Sequence, residues 1–346
     1  MIAEWKTFLA NAGAVIQDGR VEHFGDPQKE RDAMAAGNIV TDLSSLALIR
    51  VGGDDAATFL QGQLTNDIRL LDESRSQLSA YCDPKGRMLA IFRLFMGDNA
   101  YMLQLPASLQ DSIINRLRVH VLRSKVTVEP AKEELQCIGL AGPDAEAIMQ
   151  TQTGFVPMEK ESCVTRDSLT AMRVAGVQPR FEIVGPLDAL RQLWDRINHQ
   201  AVAVGTSAWT WLEIMAGVPN VYPQTSGAIV PQMANLELLD GVNFEKGCYS
   251  GQEIIARLHH RGKVKQRMYR SHVTIDEIPE PGDAIYASDL RGQATGMVVH
   301  AAASPEGGHD MLAVIHSSSV ASGDLHLGSE QGPALTIEKL PYRLVS

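Results

Sequence analysis

Two stretches of this chain repeat one pattern, and that repeat narrows the folds open to it. Tyr101–Val128 and Phe181–Val204 each begin with an alternating strand and then meet a proline, Pro106 or Pro186. Each goes on into a run with apolar residues at helical spacing. These are Leu109, Ile113, Ile114 and Leu117 in the first, and Leu187, Leu190, Leu193, Trp194 and Ile197 in the second. A valine-rich segment closes both. Ahead of each lies another alternating run ended by turn residues, Met88–Met96 with Gly97-Asp98-Asn99 and Thr170–Val174 with Gly176. Each unit therefore reads hairpin, helix, strand, which predicts an α+β chain with two ferredoxin-like subdomains.

Beyond about residue 266 the pattern changes to short alternating runs, Ser271–Ile275, Ala294–Ala301, Met311–Ile315 and Ala334–Lys339. Turns rich in Pro, Gly and Ser separate them, with no helical period, as in a small antiparallel β-barrel. The boundary falls near residues 262–270, giving regions 1–265 and 266–346. Ser304-Pro305-Glu306-Gly307-Gly308 reads as an exposed hairpin loop.

At 346 residues the chain is long enough for two or three domains. No run approaches the roughly 18 apolar residues of a membrane span. Residues 1–14 carry Glu4, Lys6 and Asn11 among their apolar positions, unlike a signal peptide. Cys82, Cys137, Cys163 and Cys248 are widely spread and lack the spacing of a structural zinc site. Free thiols in a reducing, cytoplasmic setting follow, with no metal site. A net charge of −10 argues against direct nucleic-acid binding, which needs basic surface to displace counterions. One basic stretch stands apart: Arg257, His259, His260, Arg261, Lys263, Lys265, Arg267 and Arg270. It reads either as a solvated helix end or as a cradle for an anion.

The densest signal is Lys246-Gly247-Cys248-Tyr249-Ser250-Gly251-Gln252-Glu253. Ser250 and Glu253 are spaced as a capping box, so a helix is expected to begin near Gly251. Cys248 would precede that helix, where orphan amides and Lys246 favour a thiolate. Gly247 and Gly251 permit positive φ and close approach of another backbone. The same spacing is compatible with a buried structural cysteine ahead of an ordinary helix.

The octapeptide resembles the K-G-C-Y-x-G-Q-E signature of the YgfZ family, folate-binding relatives of the glycine-cleavage T-protein. The resemblance extends through Pro231-Gln232 to Leu236 and Leu239 to Lys246 before the motif, and Ile254 to Arg257 after it. Leu64-Thr65-Asn66-Asp67 and Asp83-Pro84-Lys85-Gly86-Arg87 resemble the family's N-terminal landmarks, so the likeness runs from about residue 40 to the end. It implies a ring of α+β domains around a central cavity, plus a C-terminal barrel. It further implies tetrahydrofolate or another folate as cofactor, and a role in maintaining iron–sulfur proteins, tRNA-thiolation enzymes among them. Folate would lie against Asn66, Asp83, Lys85 and Arg87 and against Lys246, Tyr249, Gln252 and Glu253, with Cys248 a functional thiol at the cavity's edge.

Read from the residues alone, Asp83–Arg87 is a hairpin turn between alternating runs, with proline presetting φ. Thr65-Asn66-Asp67 stops a helix over Ala56–Leu64. Trp209 and Trp211 face one side if their segment is extended, and Cys82 is a buried small hydrophobe. Two departures separate the chain from the T-protein pattern. The turn Asp-Pro-Lys-Gly-Arg replaces a Gly-Gly-Ile-x-Asp-Asp type hairpin. In Leu212-Glu213-Ile214-Met215-Ala216-Gly217, Met215 occupies the position of the pterin-holding glutamate. A thioether cannot make the charge-assisted bonds of a carboxylate. Both departures weigh against ordinary aminomethyl transfer, although a tetrahydrofolate-dependent one-carbon transferase remains the alternative reading. A cysteine-nucleophile enzyme is a third, in which His259 and His260 lie two to three helical turns from Cys248, too far to act as its base.

Overall fold

The computed structural model describes residues 1–131 and 135–344. The fold is mixed α+β with several sheets, and the chain divides into two compact units. Unit 1 comprises residues 1–56, 71–76 and 94–209; unit 2 comprises residues 57–70, 77–93 and 210–346.

Unit 1 is built on a six-stranded sheet in the order Cys163–Arg166, Leu169–Val174, Arg180–Pro186, Leu135–Ala141, Ile39–Asp42, Val202–Val204. Its last pair is parallel, joining Val202 to Ile39 across the length of the unit. The helix Leu187–Ile197 buries Leu187, Leu190, Leu193, Trp194 and Ile197, the stripe its period predicts. These side chains pack with Trp5, Leu9, Ile138, Leu140, Phe181 and Ile183 into one core. Trp5 Nε1 donates to Asp42 Oδ1 at 2.7 Å, and the Ser44 hydroxyl donates to the same carboxylate. Burial nevertheless raises the pKa of Asp42, with these donors opposing.

The same unit holds Leu46–Gly52 paired between Ala100–Pro106 and Thr127–Pro130, with the helix Gln110–Val121 contacting Thr127–Pro130. The repeated order of strand, helix and strand is thus present at both expected places. Leu135–Ala141, a central strand of the six-stranded sheet, went unread in the sequence. Its run Cys137-Ile-Gly-Leu-Ala141, ended by Gly142-Pro143-Asp144, was the available signal.

Unit 2 contains the helix Ala56–Gln63 from Ala57 onward, the hairpin of Gln77–Cys82 and the first part of Met88–Gly97, and the helix Gln252–Arg261. Its C-terminal part is a six-stranded antiparallel sheet in the order Leu325–Leu327, Ala284–Ala287, Ala294–Ala303, His309–His316, Gln266–Val273, Thr336–Glu338. The last segment touches both edges. Leu335 N–H donates to Leu325 and Leu327 N–H to Pro333, while Thr336–Glu338 pairs with Arg270–His272. The sheet is therefore curled into a half-barrel around Val273, Ile285, Val298, Met311, Ile315 and Leu325. The turn Ser304–Gly308 closes its central hairpin, with Ser304 N–H bonded to Gly308.

Two expectations are corrected here. The C-terminal region does contain a helix, Ser317–Ser322, too short to show a period. Trp209 and Trp211 lie on a helix, Thr206–Met215, so two positions turn them about 200° apart. Trp209 is buried in unit 1 under the Arg180 guanidinium, 4.7 Å from its ring, whereas Trp211 in unit 2 donates to Asp310 at 2.7 Å.

Candidate functional site

Three segments of unit 2 converge: the Asp83–Arg87 hairpin tip, the Thr65–Asp67 turn after the first helix, and the octapeptide leading into the helix Gln252–Arg261. The hairpin tip is organised by the Asp83 carboxylate, which accepts from the Lys85 and Arg87 amides at 2.8 and 2.9 Å. Gly86 completes the turn at φ +74°. Its backbone lies against that of Gly251, where φ is +81° and an added Cβ would stand 2.5 Å from the Asp83 carbonyl oxygen and 2.8 Å from Gly86 Cα. Two glycines thus allow the hairpin and the motif to touch backbone to backbone.

That contact overrides the expected capping box. The helix begins at Gln252, one residue later than the box requires, with Gly251 at its N-cap and no side-chain cap. Glu253 is exposed rather than folded back on Ser250, and Gln252 is half-buried. Gly247 also departs from expectation: it has no positive φ, and a Cβ there would meet nothing within 4 Å.

Lys246 is buried, and its ammonium donates to the carbonyls of Gln61, Leu64 and Asn66 at 2.9, 2.6 and 2.7 Å. It caps the C-terminal end of the Ala56–Gln63 helix, where orphan carbonyls carry negative charge. Burial pulls its pKa down to about 8, with Asp67 opposing. The three carbonyls accept every N–H of an ammonium and could take only two from a neutral amine, which holds the charged form. The ammonium also lies 5.1 Å from the centre of the buried Tyr249 ring. Burial raises the pKa of the Tyr249 phenol and of the nearby Cys82 thiol, which is 1% exposed as a small core residue should be.

Between these two anchored residues, Cys248 is exposed, so it is not the buried structural cysteine its spacing also allowed. Asn66 is held as firmly as Lys246. Its amide donates to the Leu78 and Asp240 carbonyls at 2.9 and 2.7 Å and accepts from the Asp67 N–H at 2.8 Å. Beside it, the Arg69 guanidinium pulls the Asp67 carboxyl down to about 2. Arg87 donates to the Gly227 and Ala228 carbonyls. Lys85 is exposed. His259 stacks on Phe244 with ring centres 3.7 Å apart. Among the described residues no group of three His, Cys, Asp or Glu is arranged to hold a metal ion, and no helix is long and apolar enough to cross a membrane.

Comparison with known proteins places the chain in a family. The GCVT N-terminal domain model matches residues 20–244. The tRNA-modifying protein YgfZ of Klebsiella pneumoniae is 30% identical over 303 residues, spanning 87% of this chain and 92% of that protein. Those of Colwellia psychrerythraea and Cronobacter sakazakii are each 30% identical, over 311 and 324 residues, and span 88% and 92% of this chain and 93% and 98% of their own. The chain belongs to the YgfZ family. Glycine cleavage system aminomethyltransferase T from Bartonella henselae has the same fold, with a TM-score of 0.78 at 19% identity over 97% of this chain and 96% of that one.

Within this YgfZ-family chain, the segment around Met215 departs from the T-protein pattern. It is helical, so Glu213 lies about 200° from Met215 and cannot take its place. Met215 Sδ faces the Arg270 guanidinium at 2.8 Å, a donor that a carboxylate would satisfy better. Sequence reading grouped Arg270 with the surface cations; nothing short of a contact map could have placed it opposite a residue 55 positions away. The donor set at the hairpin tip is cationic, made of the exposed Lys85 and the N–H groups of Arg87 that Gly227 and Ala228 leave free. It does not offer the carboxylate that the T-protein pattern uses for the pterin.

Proposed function

We propose that this protein is a folate-binding accessory factor that supports iron–sulfur proteins, tRNA-thiolation enzymes among them, with Cys248 as its functional thiol. One observation carries the reading: Cys248 is presented to solvent from a loop whose two ends are locked, by the three carbonyl bonds of Lys246 and by the glycine contact at Gly251. A thiol with only a packing role needs no such frame. The name of the relatives, tRNA-modifying protein, supports the setting.

In this reading the protein works in the cytoplasm. Residues 1–265 form the folate-binding region, two ferredoxin-like subdomains around a central cavity, and residues 266–346 form an antiparallel barrel. Tetrahydrofolate or another folate lies beside Asn66, Asp83, Lys85 and Arg87 on one side and Lys246, Tyr249, Gln252 and Glu253 on the other. Asn66 and Lys246 shape the wall, since the fold occupies their polar atoms, while Lys85 and Arg87 meet the ligand's carboxylates. Calorimetric titration with tetrahydrofolate tests this. Saturable binding that disappears in Lys85→Ala/Arg87→Ala is the expected result, and equal binding by that variant would remove folate from the hairpin.

A one-carbon transferase is the second reading, favoured by the fold shared with aminomethyltransferase T. Formation of 5,10-methylenetetrahydrofolate from an aminomethyl donor would support it; Met215 and the Asp-Pro-Lys-Gly-Arg turn count against it.

A further inference from the structure

The helix that follows the Cys248 loop ends in a run of cations that the site described above does not use. Between Ile254 and Ile275 the sequence holds six Lys or Arg and no Asp or Glu, in a chain whose net charge is −10. Two of the six serve the fold: Arg267 pairs with Glu237, and Arg270 with Glu338 and Met215. The other four, Arg257, Arg261, Lys263 and Lys265, are exposed, and among the described residues none is in an ion pair.

Helix stability does not account for them. A cation in the last turn complements the macrodipole, which covers Arg261 and the two histidines. Arg257 lies before that turn, and Lys263 and Lys265 lie beyond the helix. Arg257 and Arg261 are four apart, where like charges repel. Glu253, four residues before Arg257 and well placed to pair with it, is exposed and unpaired. The stack of Phe244 on His259 joins the end of the helix that carries Arg257 and Arg261 to the segment that leads into the octapeptide.

We propose that Arg257, Arg261, Lys263 and Lys265 form a docking surface for an acidic segment of a partner protein, delivering that partner to the helix whose leading loop carries Cys248. Only the destination rests on the functional reading of Cys248; the docking stands on the charges. A short acidic peptide fits better than a nucleic acid. Four cations within nine residues match a few carboxylates, whereas a nucleic acid would extend beyond them along a chain whose net charge is −10.

The test is fluorescence anisotropy with the full-length protein at near-physiological salt, using a fluorescein-labelled Glu/Asp-rich dodecapeptide and a single-stranded RNA of the same length. Four variants accompany the native chain. R257E/R261E/K263E/K265E reverses the patch and R257Q/R261Q/K263Q/K265Q neutralises it. R20E/K29E/R123E/K160E makes the same change in net charge at exposed sites of unit 1, and C248A removes the thiol. The native chain and C248A are expected to bind the peptide alike. The reversed patch should weaken binding about tenfold or more, as the loss of several exposed ion pairs implies, with the neutralised patch intermediate. The unit 1 control should stay within about twofold. An equal loss in that control, absence of saturable peptide binding by the native chain, or tighter binding of the RNA would each overturn the proposal. Because C248A retains docking, failure of the thiol reading in cells and failure of the docking surface are separate results.

Discussion

Replacing Lys246 with methionine keeps an unbranched apolar stem out to Cε, with sulfur in place of Cδ, and removes the ammonium, so it measures what holds the octapeptide in place. Three buried or half-buried carbonyls, of Gln61, Leu64 and Asn66, lose their donor. Hydrogen bonds to a charged group are worth about 1.5–3 kcal/mol each, which sums to about 5–9 kcal/mol. The contact with the Tyr249 ring adds about 1 kcal/mol. Desolvation of the ammonium works against these terms, as the drop of its pKa to about 8 records. The net loss is therefore expected nearer about 3–5 kcal/mol, the range for breaking a buried charged network. In urea unfolding at pH 7, with a slope of about 2–3 kcal/mol per molar, the midpoint for unit 2 should fall by about 1–2 M. Fluorescence of Trp211, which lies in that unit, is one probe. Lys85→Met, at an exposed site, should change little. A loss below about 1 kcal/mol, equal to that of Lys85→Met, would refute the claim that Lys246 anchors the motif.

Three further outcomes are expected. Gly251→Ala should cost about 2–4 kcal/mol, since it combines φ +81° with a Cβ 2.5 Å from the Asp83 carbonyl, while Gly247→Ala should be close to neutral; equal melting shifts for the two would contradict the backbone contact. His300 is fully buried, its ring nitrogens lack partners among the described residues, and burial lowers its pKa to about 4 from 6.5. The unfolded chain then binds the proton more tightly, so stability should fall as pH drops from about 6.5 to about 4, by about 3 kcal/mol at most. That segment of the pH profile should be missing in His300→Leu. Met215→Glu should pair with Arg270 and raise tetrahydrofolate affinity about tenfold, the worth of one charge-assisted bond; unchanged affinity by calorimetry would mean the pterin does not approach this position.

Much of the fold was legible because its signals are local. The alternating runs before Pro106 and Pro186, and the stripe Leu187 to Ile197, each form the element their period requires. Four strands of the C-terminal sheet followed equally from alternation between turns, whereas Ala284–Ala287 and Leu325–Leu327, four and three residues long, are too short to show it and went unread. What escaped depends on contacts distant in sequence. The parallel pairing of Ile39–Asp42 with Val202–Val204 has no local signature. At the site, Ser250 and Glu253 satisfy the letter of a capping box, but Gly251 must lie against Asp83 and Gly86, and that contact sets the N-cap. Lys246 read as a charge acting on the thiol, whereas its ammonium is spent on three carbonyls of a helix end more than 170 residues earlier. Trp209 and Trp211 misled because a pair two apart shares a face only on a strand, and the segment is a helix.

The central claim is that Cys248 is the functional thiol of an accessory factor for iron–sulfur proteins. Its most direct test replaces the native protein in cells with Cys248→Ala, whose exposed position leaves folding unchanged, and measures iron–sulfur enzyme activity together with tRNA thiolation. Both should fall toward the level of cells lacking the protein. Activities equal to those with the native chain would contradict the account.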